Sequence, residues 1–220
     1  MGRWRAVLFD LDGTLTDSAP ALMAALNRVW AAEGRQPFDQ NAVRGFVGDG
    51  PAAMIERARK AHGLPADTDI AGHETEAFMA AYTGAGPGGD LYPGALEVIQ
   101  DLRRAGYRLA VCTNKPQQAA EHLLAAHGAM PFLDAVVGGD ATPRRKPDPA
   151  HIQTALDKLG VAPADAVLVG DGPQDVTAAE AAGVAVIVAA YGYGDMAAAR
   201  PDLSAIARIR DLPARLAVVG

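Results

Sequence analysis

Residues 6–15 read AVLFDLDGTL. The apolar residues at its start stop abruptly at two carboxylates, Asp10 and Asp12, which a single residue separates. Such a run predicts a buried β-strand with polar groups at its end. Because side chains alternate along an extended chain, both carboxylates lean to the same side, and Gly13 allows a turn directly after them. Two crowded carboxylates repel each other and need a cation, so the segment predicts a functional site at a strand end.

Three further polar clusters also follow apolar runs. They are TNK at 113–115 after LAVC, RKPDP at 145–149 some residues after AVV, and GDGPQD at 170–175 after AVLV. In an open parallel α/β sheet, ligands bind outside the carboxyl ends of the strands. The clusters therefore predict one shared site.

The wider pattern predicts an α/β fold. Strands are expected near 5–9, 108–112, 134–137, 166–170 and 184–188. Helices are expected near 95–105, 117–127, 150–159 and 174–182. Strands that alternate with helices favour a parallel sheet covered on both faces.

The interval between the first two of these strands is too long for a single crossover. Residues 19–83 contain no convincing strand, and the run GAGPGG at 84–89 has the composition of a linker. Ala-rich stretches with Leu and Met at near-helical spacing predict helices at 19–33, 51–62 and 70–82. We expect an inserted α-helical domain at 17–90 and a Rossmann-like core built from 1–16 and 91–220.

Composition and charge argue against several functional classes. The 220 residues include 20 basic and 26 acidic ones, a formal charge of −6, whereas a nucleic-acid surface needs a basic stripe. No apolar stretch is long enough to span a bilayer, and no N-terminal run resembles a signal peptide. The single cysteine, Cys112, excludes an internal disulfide and fits a reducing compartment. We expect a cytoplasmic monomer or homodimer that acts on a small molecule, without nucleic-acid or membrane partners.

In order and spacing, the polar clusters resemble the four motifs of the haloacid dehalogenase superfamily of phosphatases. The motifs are DLDGT at 10–14, Thr113-Asn114, Lys146, and Gly170-Asp171 with Asp175. Within the superfamily the chain most resembles the phosphoglycolate phosphatase family. The supporting segments are CTNKP at 112–116, GGD at 138–140, KPDP at 146–149 and YGYG at 191–194. One position departs from the pattern, because Gly172 stands where many relatives carry Ser.

The resemblance implies a helical cap over the core and Mg²⁺-dependent hydrolysis of a phosphate monoester, 2-phosphoglycolate in particular. Asp10 is then the nucleophile that forms an aspartyl phosphate. Asp12 is the general acid and afterwards the general base, or alternatively only a metal ligand. The implied Mg²⁺ ligands are the Asp10 carboxylate, the Asp12 backbone carbonyl and the Asp171 carboxylate. Asp175 orients these ligands or pairs with Lys146.

The same resemblance assigns partners to the phosphate. Thr113, Asn114 and the neighbouring backbone N–H groups hold it, and Lys146 supplies positive charge to the transferring group. Thr113 is alternatively a hydroxyl that caps the next helix. Arg144 and Arg145 directly precede Lys146, so the family pattern rather than the composition of this segment selects the lysine.

The segment RGFVGDG at 44–50 is the candidate for recognising the rest of the substrate. Arg44 offers a cation, and Gly48 and Gly50 offer backbone N–H groups that a ligand can approach closely. A plain interhelical turn is the alternative. Other functions also stay open: hydrolysis of a sugar phosphate or pyrophosphate, a phosphomutase, or a non-catalytic binding protein.

Overall fold

The computed structural model describes residues 4–218 and has a parallel β-sheet at its centre. The strands are β1 Ala6–Phe9, β2 Thr16–Asp17, β3 Asp90–Leu91, β4 Arg108–Cys112, β5 Ala135–Val137, β6 Ala166–Gly170, β7 Ala185–Ala189 and β8 Ser204–Ile206. The α-helices are α1 Ala19–Ala32, α2 Gln40–Arg44, α3 Pro51–Ala61, α4 Thr68–Thr83, α5 Ala95–Arg104, α6 Gln117–Ala126, α7 Pro149–Leu159, α8 Pro173–Ala181, α9 Met196–Ala199 and α10 Leu212–Val218.

The main sheet has six strands in the order β5-β4-β1-β6-β7-β8, and every neighbouring pair is parallel. Strand β1 lies between β4 and β6, with Phe9 opposite Val111 on one side and Val169 on the other. The carboxyl ends of these strands therefore lie side by side. The polar residues that follow each strand are brought to the same edge of the sheet, at the point where the strand order reverses.

Both faces of the sheet are covered by helices, as expected for parallel strands. Val7 and Phe9 of β1 belong to one apolar cluster, which helices α5, α6 and α10 complete. Leu8 points to the opposite face and belongs to a second cluster with residues of α7 and α8. The predicted α/β class with a parallel sheet is confirmed.

Helices α1–α4 lie between β2 and β3, and we call them the helical insertion. They pack around their own apolar cluster, which includes Trp30, Ile55 and Phe78. Strands β2 and β3 form an antiparallel pair, so the chain leaves the sheet region and returns to it at one place. The division into domains 17–90 and 1–16 with 91–220 stays a prediction.

The predicted long elements agree with the observed ones to within about two residues at each end. The sequence interpretation missed the short elements β2, β3, β8, α2, α9 and α10, which carry few residues to show a period. Among the described residues, 4–218, none of the helices combines the length and hydropathy needed to cross a membrane.

Candidate active site

The sheet ladder itself holds the first two polar residues in place. The Asp10 N–H donates to the Val169 carbonyl at 2.9 Å, so Asp10 continues the pairing of β1 with β6. The Thr113 N–H donates to the Val137 carbonyl at 3.0 Å and continues the pairing of β4 with β5. Both side chains are buried and line a cavity at the strand ends.

Lys146 is the inward-facing cation of its segment, and Arg144 and Arg145 are exposed. Its Nζ donates to Asp10 Oδ1 at 2.8 Å and to Asp175 Oδ1 at 2.6 Å. Burial lowers the pKa of Lys146, but the two carboxylates more than offset this effect and raise the pKa above its ordinary value. Lys146 is therefore a permanently charged group beside Asp10.

His151 fixes the backbone that carries Lys146. Its Nδ1 accepts the Lys146 N–H at 3.2 Å, and its Nε2 lies 3.2 Å from the Val137 carbonyl. Burial lowers the pKa of His151 to about 4, so the ring is neutral near pH 7. A neutral ring that accepts at Nδ1 can donate at Nε2, which ties the Lys146 loop to the end of β5.

A third carboxylate, Asp171, follows β6 and receives only neutral donors. Its Oδ1 accepts from Thr14 Oγ1 at 3.0 Å, and its Oδ2 accepts from the N–H groups of Tyr193 and Gly194 at 2.7 and 3.3 Å. Burial, followed by repulsion from Asp175, raises the pKa of Asp171 to about 6. Its negative charge has no compensating cation among the described residues.

The donor set of this site fits a divalent cation. Asp10, Asp171 and Asp175 are all buried, and each offers an oxygen that lies within 4.8 Å of the other two. The ammonium of Lys146 offsets one of these three charges. The surplus is seen in Asp10, whose pKa is raised to about 8, first by burial and then by Asp175, against the opposing effect of Lys146. Hard oxygen ligands with surplus negative charge suit Mg²⁺.

Asp175 is engaged by the protein through both oxygens. Oδ1 accepts from Lys146, and Oδ2 accepts from the Gly172 N–H at 3.0 Å at the start of α8. It therefore pairs with Lys146, one of the two expectations for it. The ligand set of Asp10, Asp171 and the Asp12 carbonyl stays a prediction.

The side chain of Asp12 contacts Lys115, which belongs to the predicted polar cluster at 113–115 but has no role assigned from the sequence. Lys115 Nζ donates to both Asp12 oxygens, at 2.9 and 3.2 Å. It also lies 4.7 Å from the centroid of the Tyr82 ring, which comes from α4 of the helical insertion. Burial lowers the pKa of Lys115, but Asp12 and Tyr82 outweigh this and raise it. The available signal was its position directly after Thr113-Asn114.

Asn114 connects the insertion to the strand ends. Its Nδ2 donates to the carbonyls of Gly48 and Lys146, at 2.8 Å in each case. The Thr113 hydroxyl accepts from the Lys115 N–H at 3.2 Å, and Thr113 faces the cavity. Their predicted roles in holding phosphate stay predictions.

The cavity lies between the strand ends and the helical insertion and has a volume of about 50 Å³. Asp10, Asp12 and Lys115 line it on the sheet side, and the insertion adds apolar side chains such as Phe78 together with Gly48 and Gly50. A water molecule needs only about 10–15 Å³ on a comparable scale, so the cavity suits a ligand of few atoms.

Arg44 lies at the junction of the insertion and the core instead of among the cavity-lining residues. Its Nη2 lies 3.4 Å from Asp17 Oδ2, its guanidinium lies 5.6 Å from the Tyr193 ring centroid, and 39% of its side chain is exposed. Its role as a substrate-binding cation stays a prediction.

A model of the haloacid dehalogenase-like hydrolases matches residues 4–183. The chain belongs to this family. A relative from Rhodospirillum rubrum, named phosphoglycolate phosphatase, is 46% identical to the hydrolase over 195 residues, which are 86% of this chain and 80% of that protein. The predicted resemblance is confirmed, and so is the classification as a phosphoric monoester hydrolase.

Solved structures agree with the family assignment. The hydrolase superimposes on a predicted phosphoglycolate phosphatase from Haemophilus somnus 129PT with a TM-score of 0.88 and 29% identity, covering 98% of this chain and 99% of that one. CbbY from Rhodobacter sphaeroides, solved in complex with phosphate, gives a TM-score of 0.81 and 27% identity, covering 95% and 96%.

Proposed function

We propose that this hydrolase converts 2-phosphoglycolate to glycolate and phosphate, with Mg²⁺ and through an aspartyl phosphate on Asp10. The observation that carries the proposal is the setting of Asp10 at the cavity. One oxygen, Oδ1, is held by Lys146 at 2.8 Å, and within residues 4–218 no hydrogen bond reaches Oδ2. A fixed carboxylate with one free oxygen suits a nucleophile.

The residues divide the reaction into two steps. Asp10 Oδ2 attacks phosphorus and the bond from phosphorus to the leaving oxygen breaks. That oxygen receives a proton from Asp12, which takes it up from solvent when the ester binds. In the second step Asp12 takes a proton from water, whose oxygen attacks the aspartyl phosphate and releases phosphate and the Asp10 carboxylate. Lys146 balances the negative charge of the phosphoryl oxygens in both steps, and the Thr113 hydroxyl and the Asn114 backbone N–H orient them.

Asp10, Asp171 and the Asp12 backbone carbonyl are the residues that would hold Mg²⁺. When bound, the ion offsets the charge of the carboxylates and of the phosphate, so that a dianionic ester can approach the site. This requirement agrees with the raised pKa of both Asp10 and Asp171.

The substrate assignment rests on the names of the relatives and on the size of the cavity. Several relatives at 38–46% identity are named phosphoglycolate phosphatase. With the helical insertion acting as a cap domain over the site, a cavity of about 50 Å³ favours a small ester over a sugar phosphate. The cytoplasmic location and the monomeric or homodimeric state stay predictions.

The test is hydrolysis of a panel of phosphate esters that includes 2-phosphoglycolate, a hexose phosphate and pyrophosphate. We expect Mg²⁺-dependent release of phosphate with preference for 2-phosphoglycolate, and a phosphorylated peptide containing Asp10 in acid-quenched samples. Asp10→Asn should abolish turnover, whereas Asp157→Asn, the same change at an exposed helix position, should not.

Three results would contradict separate parts of the proposal. Near-normal turnover by Asp10→Asn excludes the covalent step. Full activity in EDTA, with metal removal confirmed by elemental analysis, excludes the metal. Preference for another ester overturns the substrate assignment alone.

A further inference from the structure

The two steps above give no role to Lys115, although it is a buried charged side chain in the cavity wall. Its side chain is 3% exposed. A buried ammonium is costly unless an anion pairs with it. Asp12 is that anion in the protein without substrate, and the other close contact of Nζ is the face of the Tyr82 ring.

The ion pair between Lys115 and Asp12 competes with the proposed role of Asp12 as the general acid. Both oxygens of Asp12 accept hydrogen bonds from Lys115 Nζ. Proton transfer to the substrate requires an Asp12 oxygen that faces the leaving oxygen within hydrogen-bonding distance. Lys115 therefore has to give up part of this pairing, and a second anion near its ammonium would offset the cost.

A substrate with a second anionic group can provide the replacement. In 2-phosphoglycolate a single methylene joins the leaving oxygen to a carboxylate. Because Lys115 Nζ lies 2.9 Å from Asp12 Oδ1, a leaving oxygen that faces Asp12 would bring this carboxylate to the side of the cavity where the ammonium lies. We propose that Lys115 binds the substrate carboxylate and that this exchange of partners frees Asp12 to face the leaving oxygen.

The proposal rests on the proposed function and adds a specificity-determining residue to it. The helical insertion supports the exchange through Tyr82, whose hydroxyl donates to the Gly88 carbonyl at 2.6 Å and so fixes the ring over Lys115. An aromatic face stabilises an ammonium in a site with little water. Arg44 is less suited to this task, because it is half-exposed and already faces Asp17.

The experiment compares two substrates of nearly equal shape, 2-phosphoglycolate and its amide, 2-phosphoglycolamide, with Mg²⁺ present. The wild type should show kcat/KM about 10- to 150-fold higher for the acid, the factor for one charge-assisted hydrogen bond, with a large part of it in kcat. In Lys115→Met the ratio should fall to about one, with hydrolysis of the amide retained or increased because Asp12 is no longer paired. Lys158→Met, the same change at an exposed lysine, should keep the wild-type ratio.

Lys115→Gln provides a second variant with a polar side chain of similar length, and the same loss of selectivity is expected. An unchanged ratio in these variants, or equal losses on both substrates, overturns the assignment of Lys115. A wild-type ratio near one overturns it without any variant. If the wild type hydrolyses neither ester, the proposed function is wrong. This result can be distinguished from those that overturn only the assignment of Lys115, because in those the wild type is active.

Discussion

Asp10 combines two requirements that oppose each other, burial and negative charge. It is 5% exposed and lies beside Asp175 and Asp171, and among residues 4–218 its one close cation is Lys146. The raised pKa is a consequence of this arrangement. Under the proposed function, the same arrangement would place a carboxylate where a metal and a phosphate meet.

The raised pKa of Asp10 predicts that the difference in unfolding free energy between wild type and Asp10→Asn depends on pH. The pKa of Asp10 is about 8 in the folded protein against 3.8 ordinarily, so between these values the folded state binds more protons than the unfolded chain. The contribution of Asp10 to the unfolding free energy therefore falls as pH rises from about 4 to about 8. The side chain in Asp10→Asn carries no charge at any of these pH values, so the unfolding free energy of this variant does not fall for this reason.

In EDTA, the unfolding free energy of Asp10→Asn relative to wild type should increase by at least about 1 kcal/mol between about pH 5 and about pH 8. Urea denaturation at these pH values measures it. Asp157→Asn, at an exposed position, should show no such increase. A difference that is constant with pH would mean that Asp10 is ionised throughout the range.

Some residues of the site could be predicted from the sequence and others could not. Asp10 and Asp171 were predictable because each directly follows an apolar run that ends at the same sheet edge. The position of Lys115 in the cluster at 113–115 was predictable, but its pairing with Asp12 was not, because the two residues are 103 positions apart. Arg44 was chosen for its charge and the glycines after it, and the structure places it beside Asp17.

The turn from β6 into α8 separates two carboxylates that look alike in sequence. Asp171 ends the strand and receives neutral donors. Asp175 lies in the first turn of α8, where it accepts the Gly172 N–H and pairs with Lys146. One carboxylate is thus available to a metal, and the other belongs to the structure of the helix start.

Alanine substitutions should distinguish the two. Asp175→Ala breaks a buried ion pair and should lower the unfolding free energy by about 3–5 kcal/mol. Asp171→Ala should cost less, because Asp171 accepts only from neutral donors, but it should remove most of the stabilisation that Mg²⁺ gives by binding the folded state. Thermal unfolding with and without Mg²⁺ measures both effects. The opposite pattern would make Asp175 the metal ligand.

The positions of helices and strands were predicted correctly where the hydrophobic pattern extends over many residues. Helices α1, α3 and α4 of the insertion and strands β1, β4 and β6 are long or strongly apolar, and their positions follow from the sequence. Strands β2 and β3 have two residues each, and only their pairing across the whole insertion makes them strands. Strand β8 is a short edge strand beside β7. These elements depend on tertiary contacts between residues far apart in sequence, which a short stretch of sequence does not show.

The whole molecule brings together the polar residues at the strand ends and the helical insertion. The two parts touch at Asn114 and Gly48 and at Gly50, where an added Cβ would lie 2.7 Å from Arg145 Nη1 and 3.2 Å from the Asn114 carbonyl. The close approach of the backbones is therefore part of the closed site. Separating them should disturb catalysis without altering any reacting group.

Gly50→Ala tests this dependence. The added methyl group would lie 3.2 Å from the Asn114 carbonyl, so the insertion should shift by a few tenths of an ångström and kcat/KM should fall by up to about 10-fold. The loss should be equal for 2-phosphoglycolate and 2-phosphoglycolamide, which separates it from the effect of Lys115.

Gly63→Ala is the matched control, because Gly63 also has a positive φ, +68°, but has no atom within 4 Å of an added Cβ. Both variants strain the backbone, and only Gly50→Ala should lose catalytic efficiency. Wild-type efficiency in Gly50→Ala would mean that hydrolysis does not require this contact between insertion and core.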